Sequence, residues 1–188
     1  MILLIDNFDS FSHMLADLIR QTGATLKILR NDVELESLEQ FEFSGLILSP
    51  GPGIPSKAGN LNKILEAYYD KVPILGVCLG HQAIGEFFGA KLIKNNFPVH
   101  GKVHQVKKCS LHFYTEGIPD TFQVTRYHSL QLENIPESLQ VILETDKKEV
   151  MGIAHRELPI LGIQYHPEAY LTEYGLTLIK NWLKKVSN

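Results

Sequence analysis

Cys78 stands between two glycines in the stretch Gly76-Val77-Cys78-Leu79-Gly80. That spacing is the cysteine counterpart of the G-x-S-x-G turn, in which small neighbours let a nucleophile project clear of a crowded backbone. Ile74, Leu75 and Val77 before it read as a buried strand, and Ala83, Ile84, Phe87 and Phe88 after it recur at helical spacing. The thiol is therefore expected on the turn between them, where the positive end of the helix favours a thiolate. Such a nucleophile needs a base, and the base needs a group to orient it. His166-Pro167-Glu168 offers both, because residues two apart on extended backbone project to the same side and Pro167 biases His166 toward that geometry. A thiolate attacking an acyl carbon also builds an oxyanion that backbone N–H groups can stabilise. In SPGPGIP, residues 49–55, Gly51 and Gly53 leave the backbone open to approach, and the N–H of Leu79 is the usual second donor at such a turn. Each feature has a plainer reading as a buried cysteine, a solvated loop or a Pro/Gly turn. Their joint presence favours a Cys78, His166, Glu168 triad.

The elements that must position these groups follow from the pattern of apolar residues. Residues 2–5 form a short apolar run ending in Asp6-Asn7, as a buried parallel strand would. Phe11, Met14, Leu15, Leu18 and Ile19 then mark an amphipathic helix, with Asp9 or Ser10 as its expected cap and Gly23 as its stop. Strands at 26–29 and 46–48, a weaker helix at 33–41 and a helix through Leu61, Ile64, Leu65 and Tyr68 lead to the Cys78 strand. This alternation predicts an α/β fold of three layers, a mostly parallel central sheet with helices on both faces, and functional groups at the carboxyl ends of the strands. Asp6, the SPGPG loop and Cys78 all fall at such ends. From Ala90 onward short runs at 91–93, 101–107, 111–114, 122–125, 139–144 and 150–155 predict antiparallel additions or a small subsidiary sheet. A last strand at 160–165 delivers His166, and a helix through Leu178, Trp182 and Val186 closes the chain.

The totals exclude several classes of function. With 188 residues the chain is read as a single domain, 1–188, large enough to bury a core without metal or disulfide support. There are 18 Lys and Arg against 21 Asp and Glu, with no basic run longer than a pair, so no nucleic acid partner is expected. Two cysteines suit a reducing compartment, and the first apolar run is too short for a signal peptide or membrane span. A cytoplasmic protein with no membrane association is the expectation. His100 and His104 lie four apart, about 13 Å on a strand at ~3.3 Å per residue, so a shared metal is not expected. His13, His112 and His155 read as structural or solvated residues and Cys109 as a spectator.

DNFDSFS (6–12), RND (30–32), LSPGPGIP (48–55), GVCLGHQAIG (76–85), HGK (100–102), RYHSL (126–130) and QYHPEAYLTEYG (164–175) together resemble the signature blocks of class I, triad-type glutamine amidotransferases. More narrowly they resemble the glutaminase component of anthranilate synthase and of aminodeoxychorismate synthase, and the blocks run in family order along the whole chain. The resemblance implies a flavodoxin-like class I glutaminase fold and catalysis by Cys78, His166 and Glu168. It also implies an oxyanion hole at Gly51 and Leu79, and glutamine held by Gln82, Ser129, Leu130 and the Gly51-Pro52-Gly53 loop. It calls for no metal and no cofactor. L-glutamine is the implied substrate, and ammonia passes to a separate chorismate-binding synthase subunit, since this length leaves no second domain to bind chorismate. Phe8, Asp9 and Phe11 are expected at the partner surface. Two readings compete with this one: a stand-alone hydrolase of γ-glutamyl amides, and a non-catalytic regulatory subunit. Ala169 and Tyr165 stand where the family usually has Ser and Phe, and Val103-His104 replace the small hydroxyl residues common after HGK. The last change bears on which synthase is the partner, a question the sequence leaves open between anthranilate and aminodeoxychorismate synthesis.

Overall fold

The structure, a computed structural model, describes residues 1–95 and 100–186. Its strands in chain order are Ile2–Asp6 (β1), Leu26–Arg30 (β2), Gly45–Leu48 (β3), Ile74–Val77 (β4), Lys91–Lys94 (β5), Lys102–Lys108 (β6), Thr121–Arg126 (β7), Leu130–Glu133 (β8), Leu139–Thr145 (β9), Val150–His155 (β10) and Ile160–Ile163 (β11). Its α-helices are Ser12–Arg20 (α1), Leu35–Leu38 (α2), Leu61–Tyr68 (α3), Leu79–Phe87 (α4) and Gly175–Val186 (α5).

Nine strands form one sheet in the order β2-β1-β3-β4-β11-β10-β9-β6-β7. From β2 to β11 every pairing is parallel, and from β11 to β7 every pairing is antiparallel. The strands β1, β3, β4 and β11 are buried along their whole length, which is why they read as unbroken apolar runs rather than as alternating ones. Successive residues of β1 serve opposite faces. Leu4 packs with Leu15, Ile19, Leu178 and Trp182 of α1 and α5, whereas Leu3 and Ile5 pack with Leu61, Ile64, Ala83 and Ile84 of α3 and α4. Helices therefore cover both faces, as the alternation of elements predicts. The strands β5 and β8 pair antiparallel as a separate small sheet.

Four sequence expectations shift. No strand forms at 111–114; instead Phe113–Thr115 make one 3-10 turn, because His112 caps it by accepting from the Tyr114 N–H at 3.2 Å. The strand β8 has no counterpart among the expected elements, since four residues of weak alternation gain a reason to extend only when β5 lies alongside. The helix expected over 33–41 shrinks to the single turn of α2, whose one buried side chain is Leu38. At α1 the cap position falls to Phe11 and not to Asp9 or Ser10, although the Asp9 carboxylate accepts from the Phe11 N–H at 2.8 Å. The helix begins at Ser12, whose hydroxyl donates to Asp6 Oδ1 at 2.6 Å and ties the helix start to the end of β1.

The turn that carries Cys78 is built by close backbone contact. A Cβ on Gly80 would stand 2.3 Å from the Leu48 carbonyl oxygen and 2.7 Å from its Cβ, and one on Gly76 would stand 2.5 Å from the Gly80 carbonyl group. Thus α4 rests directly on β3 and β4. Gly80→Ala is expected to destabilise the fold by about 3 kcal/mol, because the obstruction is strand backbone and not a flexible side chain. Urea unfolding of the variant checks this; an unchanged midpoint would show that α4 can shift at no cost.

Candidate active site

Cys78 occupies the residue before α4 with φ +50° and ψ −97°, a conformation that non-glycine residues rarely adopt. Strained backbone of this kind persists only where its surroundings hold it. Here the Cys78 N–H is bonded to the Ile163 carbonyl oxygen at 2.8 Å, the last link of the parallel β4–β11 ladder. That register puts Gln164 beside Cys78 and brings His166 to the sheet's carboxyl edge next to it. The strand expected over 160–165 stops at Ile163, and the chain beyond it is diverted into the site.

His166 is fixed from several sides. Its N–H donates to the Thr125 carbonyl of β7 at 3.1 Å, and its own carbonyl accepts from the Thr172 hydroxyl at 2.7 Å. Nδ1 lies 2.8 Å from Glu168 Oε1, and the Glu168 side chain is wholly buried. The rings of Phe11 and Tyr127 stand against the imidazole with centroids at 4.9 and 5.1 Å, closing it off from solvent. With Nδ1 taken by Glu168, Nε2 is the atom left to the Cys78 thiol. It makes no closed hydrogen bond in this resting geometry, the loose arrangement common before substrate arrives. Burial works to lower the His166 pKa, but interaction with the Cys78 sulfur and the Glu168 carboxylate outweighs it and holds the imidazole well above its ordinary value. A proton leaving Cys78 therefore has a ready home on His166.

A cavity of about 140 Å³ opens beside the sulfur, lined by Gly51, Pro52, Gly53, Cys78, Gln82, Ser129 and Leu130 together with Tyr127 and His128. Six of the seven residues expected to hold substrate or oxyanion thus meet around one space. The seventh, Leu79, contributes by position. Its N–H is the first of α4, among those that an α-helix leaves without an internal carbonyl, and its side chain packs where a Gly51 Cβ would stand, at 2.5 Å. Asn7 anchors the far end of the loop, its Nδ2 donating to the Ser49 carbonyl at 2.8 Å.

One part of the site escapes sequence reasoning. Arg126, almost fully buried at the end of β7, makes a two-pronged ion pair with Glu149 at 2.8 and 2.9 Å. Its Nε donates to His128 Nε2 at 3.0 Å, and His128 Nδ1 lies 2.7 Å from the Leu130 carbonyl. Because Nε2 accepts, Nδ1 carries the proton, which fixes the neutral tautomer. Burial first, and the Arg126 charge second, hold the His128 pKa at about 4. Burial works to raise the Glu149 carboxyl, but hydrogen bonds from Arg126 and Asn95 prevail and bring it to about 2. This chain of groups braces the Ser129-Leu130 wall of the cavity from behind. The RYHSL block carries it, yet Glu149 lies 23 residues further on, and nothing in a linear reading joins the two.

The remaining candidates are quiet. His112 and His155 accept backbone N–H bonds from their own turns, and His13 is exposed on α1. The Cys109 thiol is pushed up to about 11 by burial and the neighbouring Glu144, which keeps it protonated at neutral pH. Among the described residues no group of three His, Cys, Asp or Glu could hold a metal, and no helix is long and apolar enough to cross a membrane.

Comparison with known proteins gives the family of the chain. The sequence profile of the family described as glutamine amidotransferase class-I matches residues 3–186. The chain belongs to that family. It is 40% identical over 184 residues to an anthranilate synthase component 2 of Vibrio parahaemolyticus, covering 96% of this chain and 93% of the relative. It is 38% identical over 192 residues to an aminodeoxychorismate synthase component 2 of Serratia marcescens, with 98% and 100% covered. A Bacillus subtilis relative, 36% identical over 187 residues with 98% and 96% covered, is named aminodeoxychorismate/anthranilate synthase component 2. Among solved structures, a Thermoplasma acidophilum protein assigned to GMP synthase superposes with a TM-score of 0.88 at 27% identity, covering 99% of this chain and 93% of its own.

Proposed function

We propose that this chain is the glutaminase subunit of a two-component synthase that aminates chorismate, and that Cys78, His166 and Glu168 carry its reaction. The observation that weighs most is the meeting of a strained cysteine, a carboxylate-backed histidine and a small polar cavity at one sheet edge. Cys78 Sγ attacks the side-chain carbonyl carbon of glutamine, and the oxyanion is met by the backbone N–H groups of Gly51 and Leu79. As the C–N bond breaks, the His166 imidazolium gives its proton to the departing nitrogen, which leaves as ammonia. Water then attacks the glutamyl thioester while His166 takes its proton; the C–S bond breaks, glutamate departs and the thiolate–imidazolium pair is restored. Glu168 holds the imidazole in the tautomer and orientation both half-reactions need.

The names of the relatives from Vibrio and Serratia support a separate synthase subunit, and the Bacillus relative's name joins both syntheses in one component 2. Phe8, half exposed with the Arg30 guanidinium 5.0 Å from its ring, fits a partner surface beside the site. Phe11, two residues beyond Asp9, points inward to His166 and would carry docking to the catalytic base. A subunit that spends glutamine only when its partner is in place should be slow alone. Glutamate release by the purified chain is expected to rise at least about tenfold on addition of the synthase subunit that matches it. Full turnover without a partner would favour the stand-alone hydrolase, and no turnover with either synthase would favour the regulatory subunit.

A further inference from the structure

Gln164 bridges the nucleophile and Gln82 of the cavity wall, and no step above uses it. Its side chain is fully buried. Its Nε2 stands 3.7 Å from Cys78 Sγ, and its Oε1 stands 3.2 Å from Gln82 Nε2, which also donates to the Leu130 carbonyl at 3.4 Å. One end of this chain fixes the orientation of all of it. A carbonyl only accepts, so the Gln82 atom facing Leu130 is the amide nitrogen; that nitrogen only donates, so the Gln164 atom facing it is the oxygen. The Gln164 atom against the sulfur is then its NH2 group. Cys78 Sγ is met by a hydrogen-bond donor, so when the thiol is protonated its S–H turns away from Gln164.

We propose that Gln164 is a positioning residue for the nucleophile, its amide donating to Cys78 Sγ and its direction set by Gln82, so that sulfur and cavity wall form one hydrogen-bonded unit. The inference rests on Cys78 being the nucleophile. Gln164 also has a structural bond, from its backbone N–H to the Met151 carbonyl at 3.0 Å, and side-chain variants leave that bond in place. The ionisable groups nearest the sulfur are His166 and, behind it, Glu168, which the same variants leave unchanged.

Two variants separate the side chain's roles. Gln164→Glu keeps the length and the acceptor for Gln82 but sets a negative charge against the sulfur, whereas Gln164→Met keeps the volume and removes both polar contacts. Two measurements are needed on the wild type and on each variant. One is the rate of Cys78 alkylation by iodoacetamide against pH, followed by mass spectrometry of the Cys78 peptide so that Cys109 does not count. The other is kcat and KM for glutamine in the complex with the synthase subunit. The midpoint of alkylation is expected to move up by about one unit or more in Gln164→Glu and by less in Gln164→Met. In both, kcat is expected to fall roughly 10- to 100-fold, while KM in Gln164→Glu stays within about threefold. An unmoved midpoint in Gln164→Met overturns the proposal, whether or not kcat falls, because removing a donor from the sulfur must move its titration; the shift in Gln164→Glu reports only how close the two groups lie. The underlying reading fails separately: wild-type enzyme fully alkylated at Cys78 yet still turning over glutamine would show that Cys78 is not the nucleophile.

Discussion

Cys78→Ala in the assembled synthase will abolish product formation from glutamine and leave product formation from ammonium salts at the wild-type rate. The expected loss in the glutamine reaction is roughly four orders of magnitude or more, the scale at which removing a covalent nucleophile leaves only binding and oxyanion stabilisation. The alanine is small enough for the site, where Cys78 is 8% exposed, and it meets the same left-handed strain that cysteine already bears. The backbone N–H at this position still reaches the Ile163 carbonyl, so the β4–β11 ladder and α4 stay in register. The fold and the partner surface should therefore survive, and with them the acceptor chemistry on the synthase side. Assaying one preparation with both nitrogen sources makes the comparison internal. Loss of both activities would mean that Cys78 holds the structure together, and retention of both would mean that the chain regulates its partner without hydrolysing glutamine.

The parallel half of the fold can be read from the sequence because burial on both faces writes itself locally. Ile2 to Ile5, Leu46 to Leu48 and Ile74 to Val77 are apolar without interruption, and each is followed by a helix whose apolar residues recur at three and four. The proposed triad is legible for a related reason. Gly76 sits against the backbone of Gly80, the two flanking Cys78. His166 and Glu168 meet across a local turn in which the Ala169 N–H donates to the His166 carbonyl at 3.3 Å. Only the contact that demands Gly80, with the Leu48 carbonyl, is long-range. What the sequence hides depends on pairing at long range. The strand β8 extends because β5 is beside it, and Phe113–Thr115 form a turn because His112 reaches their backbone. The Arg126–Glu149 pair and the Gln82–Gln164 contact join residues 23 and 82 positions apart. Polar side chains of this kind look solvated in a linear reading, and only the sheet order shows that they are interior. The two networks also share a purpose in the architecture, since both end on Leu130: one reaches it through His128 and the other through Gln82.

The same interior polar groups predict that the protein loses stability in mild acid before its carboxylates titrate. His81 on α4 is fully buried against Gly162, and burial, only partly offset by the Gly162 backbone and reinforced by His128, holds its pKa at about 3. His128 is held at about 4. Both folded values lie below the ordinary histidine value near 6.5, so the unfolded chain binds more protons as pH falls. Their contribution to stability is complete above about pH 6.5 and is lost as pH falls through that value toward 4 for His128 and 3 for His81. At pH 5 each should have cost on the order of 2 kcal/mol, about 4 kcal/mol together, a large share of a typical margin of ~5–15 kcal/mol. Urea unfolding at pH 7.5 and pH 5.0 measures the loss, and the quantity to compare between variants is the difference between the two pH values, not the stability at either. In His81→Leu and in His128→Asn that difference should shrink by about half, whatever each substitution does at pH 7.5. A wild-type protein equally stable at both values would show that these histidines carry no such penalty, and variants with an undiminished difference would place the acid sensitivity elsewhere. Since His128 is the hinge between Arg126 and Leu130, its protonation would also remove the acceptor that Arg126 uses and loosen the cavity wall. KM for glutamine should therefore rise only as pH approaches 4, well below the pH at which the fold begins to weaken.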